Sequence, residues 1–102
     1  MGDRLDKLLA FHAAAPDDDF TTYALALEYA AAGESEQALA WLERTIALAP
    51  DHAYAWYQKA ALLAGEGELE RAHAAVQAGL AAAERSGDAR AASELRALAE
   101  DW

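Results

Sequence analysis

Histidine is the side chain in this sequence best suited to metal binding or acid–base chemistry, and the chain contains His12, His52 and His73. None of the three lies three or four residues from another, so a metal site would need the fold to bring them together. His52 lies in a predicted turn and is expected to be exposed, whereas His12 and His73 are expected at boundaries between helices. The histidines therefore predict no metal site.

Two other groups of polar residues also lack the pattern that ion binding or catalysis requires. The run Asp17, Asp18 and Asp19 has neither the alternating ligands nor the central glycine and closing glutamate of a calcium loop. Residues 65–68 place two glutamates where a phosphate would need hydrogen-bond donors. The serines have no histidine and acid near them in sequence, so they are predicted to cap helices or lie on the surface. We therefore predict no catalytic residue, no cofactor and no enzymatic activity.

Length, charge and composition restrict the remaining functions. The chain of 102 residues is predicted to form one domain, and its alanine-rich sequence without cysteine favours helices and excludes disulfides. A net charge of −10 disfavours nucleic-acid binding and favours basic partners. No stretch approaches the roughly 20 apolar residues that span a membrane, and the N-terminus does not match a secretory signal. Cytoplasm is the default location.

Apolar periodicity predicts helices joined by turns so short that neighbouring helices must be antiparallel. The predicted N-caps are Asp3, Ser35, Asp88 and an aspartate of the run 17–19, and Gly33 is predicted to end the second helix. The predicted spans are 3–15, 19–32, 35–49, 53–64, 69–85 and 89–100.

These helices repeat at a fixed spacing of 34 residues. Many matches at one offset, in a helical pattern, indicate a stacked repeat. Small residues that recur in register let two helices approach closely, and larger ones fill the gaps beside them. The matching pairs are Pro16 and Pro50, Tyr23 and Tyr57, Ala26 and Ala60, Gly33 and Gly67, and Ala38 and Ala72.

Residues 19–52 and 53–86 resemble the tetratricopeptide repeat, a helix–turn–helix unit of 34 residues. The resemblance implies an all-α fold in one domain over residues 1–102, with antiparallel helix pairs stacked as a short right-handed superhelix. Residues 3–16 resemble the second helix of an incomplete unit, and 88–102 are predicted to form a capping helix. The matching residues are Leu25, Ala26, Tyr29, Gly33, Ala38, Leu42 and Pro50 in the first unit, and Trp56, Ala60, Leu63, Gly67, Ala72 and Val76 in the second.

The sequence departs from the family pattern at three positions. Thr22 replaces the bulky residue of the first helix, and Lys59 stands where leucine is usual. Glu84 replaces the final proline of the second unit, so the helix that begins near Leu69 is expected to continue for another turn.

The resemblance implies a binding groove, because the first helix of each unit lines a concave face in this family. Tyrosine suits such a face, since it offers a wide contact area with a polar tip. We expect the groove to bind a basic or apolar peptide segment of a partner protein, unless its rings pack against the N-terminal helix or each other. The groove residues are Phe20, Tyr23, Leu27, Tyr54, Tyr57 and Gln58. Because these positions lack lysine, arginine and asparagine, the carboxylate clamp of some family members is not expected.

The alternative is a structural role, in which the chain forms a homodimer through apolar surface of the groove or of the end helices. The observation behind it is the number of aromatic residues on a small chain, including Trp41 and Trp102, which are expected to be exposed. Contiguous apolar patches tend to be interfaces. Of the two functions, peptide binding is the first hypothesis, because the rings of Tyr23 and Tyr57 recur in register.

Overall fold

Six α-helices account for the regular structure of residues 2–102, which are the residues that the computed structural model describes. No strand occurs in this range, so the predicted all-α fold class is confirmed. Each helix lies within one residue of its predicted bounds, and none of the helices described is long and apolar enough to cross a membrane. The helices are α1 (Asp3–Ala14), α2 (Asp19–Ala31), α3 (Ser35–Leu48), α4 (Ala53–Gly65), α5 (Leu69–Ser86) and α6 (Ala89–Ala99).

The helices belong to two compact units, Met1–Ala49 and Pro50–Trp102. In the first unit, α2 packs against both α1 and α3. In the second unit, α4, α5 and α6 pack against one another. The pairs α2–α3 and α4–α5 are the predicted helix–turn–helix elements, and we refer to them as the first and second hairpins. In both hairpins the turn contains a glycine with positive φ, Gly33 (78°) and Gly67 (79°), a conformation that costs glycine little.

Side chains cap three of the helices at their N-termini. Asp18, His52 and Asp88 accept hydrogen bonds from backbone N–H groups in the first turns of α2, α4 and α6, at 3.1, 3.2 and 3.0 Å. The predicted caps in the 17–19 run and at Asp88 are therefore confirmed. The prediction that Asp3 and Ser35 cap α1 and α3 is wrong, because each is already the first helical residue. In that position the Asp3 carboxylate still favours the positive end of α1.

The histidines are placed differently from the predictions in two cases. His52 is half-buried instead of exposed, because its Nδ1 atom caps α4. His73 is exposed, and its ring meets that of Trp102, which follows α6. His12 does lie at such a boundary, since its ring contacts Trp41 of α3 edge-on with centroids 4.8 Å apart, and its Nε2 atom lies 3.2 Å from Arg44 Nη1. Arginine only donates, so Nε2 accepts this hydrogen bond.

The helices of the two hairpins cross at equivalent positions, but different side chains fill the space at each crossing. In the first hairpin Thr22 and Thr45 are fully buried, and their Oγ1 atoms lie 2.8 Å apart. Thirty-four residues later, the same positions are Trp56 and Gly79. A Cβ atom added to Gly79 would lie 2.9 Å from the Cβ of Trp56, which is closer than carbon atoms normally approach. The crossing therefore holds either two side chains of moderate size or one large ring beside a glycine.

The second hairpin has the longer second helix, as the missing proline predicts. α5 contains 18 residues and α3 contains 14. The additional turn carries Arg85, whose Nε atom donates to Asp51 at 2.5 Å and whose Nη2 donates to the Pro50 carbonyl at 3.4 Å. The Trp56 indole N–H donates to the same carbonyl at 3.2 Å. The extension thus ties the end of α5 to the turn that precedes α4.

We expect Gly79→Ala to destabilise the protein. Overpacking costs about 1–3 kcal/mol and the gain in helix propensity is about 1 kcal/mol, so the net loss should reach about 2 kcal/mol. The matched control is Gly65→Ala, because an added Cβ there meets nothing within 4 Å. This control should be neutral or slightly stabilising. Urea unfolding measures both, and equal stability of the two variants would show that the crossing is not tight.

We expect Thr22→Val and Thr45→Val to interact when they are combined. The two hydroxyls have two protons for three contacts, with each other and with the carbonyls of Asp19 (3.0 Å) and Trp41 (2.9 Å). Each single change removes the same bond between the helices and should cost about 0.5–1.5 kcal/mol, so the double change should cost little more than either single change. A double-mutant cycle by chemical denaturation measures this, and additive losses would contradict it.

Candidate peptide-binding faces

The predicted groove residues of the first unit lie along one side of α2. Phe20, Tyr23 and Leu27 are spaced three and four residues apart, which places them on the same face of a helix. Phe20 is 73% exposed and Leu27 is 37% exposed, while Tyr23 is half-buried. Leu25 and Ala26, on the other side, are fully buried. We call this surface the α2 face; the Phe20 ring on it is not packed into the core.

The predicted groove residues of the second unit lie on one side of α4, where Tyr57 and Gln58 follow Tyr54 by three and four residues. Tyr54, Tyr57 and Gln58 are all half-buried, and we call this surface the α4 face. The rings of Tyr54 and Tyr57 contact each other with centroids 6.3 Å apart and planes tilted by 56°. Such tilted pairs fix the orientation of both rings. The expectation that some of the rings pack on each other therefore applies to this pair.

Tyr54 is also held by α6, which the sequence predicted only as a cap. Its hydroxyl donates a hydrogen bond to the Glu94 carboxylate, and this bond is the largest cause that raises the pKa of Tyr54 from 10.0 to about 12. Partial burial and the negative charge of Glu94 raise the pKa further, and Arg90 opposes them. Arg90 Nε lies 3.8 Å from the Glu94 carboxylate. Glu94 is thus a neighbour of the α4 face that the repeat pattern could not reveal, because α6 does not follow that pattern.

Trp41 and Trp102 do not provide the exposed apolar surface on which the homodimer alternative was based. Trp41 and Trp102 are both half-buried. Trp41 contacts His12 and lies under the Arg44 guanidinium, 4.7 Å from the ring centroid. Trp102 meets the His73 ring edge-on at 5.3 Å. The expectation that Trp41 and Trp102 are exposed is therefore wrong, and Phe11, at 65% exposed, is the aromatic residue of α1 that solvent reaches.

The two faces offer contact area and hydrogen-bonding groups. Lys59, which departs from the family pattern, holds its ammonium 5.2 Å from the centroid of the Trp56 ring, so it forms a cation–π contact. Over residues 2–102, no group of three or more histidine, cysteine or acidic side chains is arranged to hold a metal ion. Both faces present tyrosine rings, which combine apolar contact area with a polar tip.

Solved structures with similar folds include two of tetratricopeptide repeat domain proteins from Salinibacter ruber. The crystal structure is 27% identical, covers 82% of this chain and 93% of that chain, and has a TM-score of 0.77. The solution NMR structure is 28% identical, with coverages of 84% and 87% and a TM-score of 0.78. The solution structure of a Bordetella parapertussis protein is 28% identical, with coverages of 99% and 88% and a TM-score of 0.83. No protein-family model and no curated protein sequence matches the chain.

We expect Glu94→Ala to lower the pKa of Tyr54 from about 12 towards 10.0, because both the hydrogen bond and the negative charge are removed. Spectrophotometric titration of the phenolate measures the change, and Tyr54→Phe identifies which transition belongs to this residue. In the wild type, the raised pKa also implies that stability falls as the pH rises from 10.0 through about 12. The control Glu100→Ala removes an acid beside the same helix and should leave Tyr54 unchanged. An unchanged titration in Glu94→Ala would contradict the contact.

Proposed function

We propose that this chain, which is a small tetratricopeptide repeat domain, binds a peptide segment of another protein through its α2 and α4 faces. The fold belongs to a class that generally mediates protein–protein interaction and acts as a scaffold without enzymatic activity. The observation that carries the proposal is the recurrence of aromatic rings at matching positions of the two first helices, with Phe20 73% exposed. Exposed aromatic residues gain more than other side chains when a partner buries them.

The dimensions of the faces favour a peptide as the ligand. The α2 face runs from Phe20 to Leu27, which corresponds to about 10 Å along a helix. An extended peptide rises about 3.3 Å per residue, so such a face matches about three of its residues. The tyrosine hydroxyls add hydrogen-bonding tips beside apolar surface, and this combination suits the backbone and side chains of a peptide.

The charge of the chain favours a peptide with basic as well as apolar residues. The net charge of −10 gives the chain an overall attraction for cations. Glu94 beside Tyr54 is a defined acidic group at the edge of the α4 face. Binding of a basic peptide should therefore weaken as salt is added, whereas binding of a purely apolar peptide should not.

The test uses peptides selected from a random library on the wild-type protein. We expect Tyr23→Ala combined with Tyr57→Ala to weaken their binding at least about tenfold, because both rings recur in register on the two faces. Fluorescence polarisation measures the dissociation constants, and circular dichroism checks that the variant stays helical. Phe11→Ala is the matched control, since it removes an exposed ring outside both faces and should not change binding. Unchanged binding in the double variant would refute the proposal.

A further inference from the structure

A depression between α1 and α3 combines a cation with apolar side chains. It has a volume of about 370 Å³ and is lined by His12, Pro16, Arg44, Ala47 and Leu48. None of these five residues carries a carboxylate, although the whole chain has a net charge of −10. Leu48 is 39% exposed, so a ligand can reach part of its side chain. We call this surface the α1–α3 depression, and it shares no residue with the α2 face or the α4 face.

Arg44 supplies the cation, and two neighbouring side chains hold its guanidinium in place. The Trp41 ring lies beneath the guanidinium with its centroid 4.7 Å away, and His12 Nε2 accepts a hydrogen bond from Nη1 at 3.2 Å. The bond to His12 takes one of the five N–H donors of the guanidinium, and the contact with the ring takes none. Within residues 2–102, Arg44 forms no ion pair. Its remaining donors can therefore bind an anion.

His12 holds Arg44 at a cost to the stability of the fold. Because Nε2 accepts a hydrogen bond, the neutral ring carries its proton on Nδ1. Nδ1 is buried and has no hydrogen-bond partner in the part of the chain that the structure describes. A buried donor without a partner is unfavourable, so the position of this ring must be explained by the contacts that it does make. Those contacts are with Trp41 and Arg44, and they fix the guanidinium at the edge of the depression.

The charge of the α1–α3 depression favours an anion with a single negative charge. A guanidinium binds carboxylates and phosphates through two parallel hydrogen bonds. Arg44 brings one positive charge, and the His12 ring brings none because its Nε2 atom acts as an acceptor. One carboxylate is balanced by this charge. A phosphate group carries about two negative charges, so one of them would stay unbalanced on an acidic chain.

The apolar lining of the depression indicates what the carboxylate is attached to. Leu48 follows Arg44 by four residues, so the two side chains lie on the same side of α3, about 6 Å apart along the helix axis. Pro16 and Ala47 complete the lining, and none of the three apolar residues has a side-chain hydrogen-bonding group. An aliphatic chain needs no such group, whereas the amide groups of a peptide do. The depression therefore fits a short aliphatic chain that ends in a carboxylate.

We propose that the α1–α3 depression binds a small aliphatic monocarboxylic acid. The carboxylate accepts two hydrogen bonds from Arg44, and the aliphatic chain lies along Ala47 and Leu48. His12 and Trp41 hold the guanidinium in position, so it loses little freedom when the ligand binds. A ligand of this size in an open depression binds weakly, with a dissociation constant on the order of 1 mM.

The test is a titration of the isotope-labelled whole chain with hexanoate at about 0.15 M salt, followed by nuclear magnetic resonance at the backbone amide of Ala47. The signal should shift and saturate between about 0.1 and 20 mM hexanoate, a range that brackets the expected dissociation constant. Hexanamide, which has the same chain without the charge, should bind at least about tenfold more weakly. Arg44→Gln should raise the dissociation constant for hexanoate at least about tenfold, and Leu48→Ser should raise it about threefold.

Arg71→Gln is the matched control, because Arg71 is an exposed arginine of α5 and its loss changes the net charge by the same amount. This variant should bind hexanoate like the wild type. Arg44 and Leu48 are exposed, and circular dichroism checks that their variants stay helical. A wild-type signal that does not saturate, or equal weakening in Arg71→Gln, would overturn the proposal. Tighter binding of inorganic phosphate or of the dipeptide alanyl-leucine than of hexanoate would overturn it as well, because the ligand would then belong to another class.

Discussion

The close approach of the two helices within each hairpin is the constraint on which the rest of the structure depends. Ala26 and Ala38 in the first hairpin, and Ala60 and Ala72 in the second, are almost completely buried. At Gly79 there is no space even for a Cβ atom. Because such a crossing leaves little volume for rings, most aromatic side chains must lie beside or outside the core. The packing that stabilises the hairpins thus also leaves aromatic rings at least partly at the surface.

The same constraint explains why the two hairpins can carry different side chains at equivalent positions of the helix crossing. The first hairpin fills its crossing with two threonines, which need each other and nearby carbonyls as hydrogen-bonding partners. The second hairpin fills it with Trp56, whose indole reaches out of the crossing to the Pro50 carbonyl. That contact and the Arg85 contacts fix the turn before α4. Thr22, which departs from the family pattern, is thus matched by Thr45, 23 positions later in the sequence. The two residues meet only because their helices pair.

The helices could be predicted from the sequence because their signals are local. Alanine-rich amphipathic segments and glycines such as Gly33 in the left-handed conformation mark each element without reference to the rest of the fold. The caps at Asp3 and Ser35 could not be placed, because a shift of one residue changes a cap into a first-turn residue. The contact of Tyr54 with Glu94 could not be predicted from the sequence either, because Glu94 lies on α6, which does not follow the 34-residue repeat.

The 34-residue repeat also distinguishes two kinds of aromatic ring that solvent reaches at least in part. Tyr23 and Tyr57 occupy one position of the repeat, and it stays half-buried in both hairpins. Partial exposure there is a property of the repeat itself. Phe11 occupies a position that both hairpins bury, at Thr45 and Gly79. The exposure of Phe11 therefore reflects the packing around α1, which contacts α2, and not the position that Phe11 occupies in the repeat.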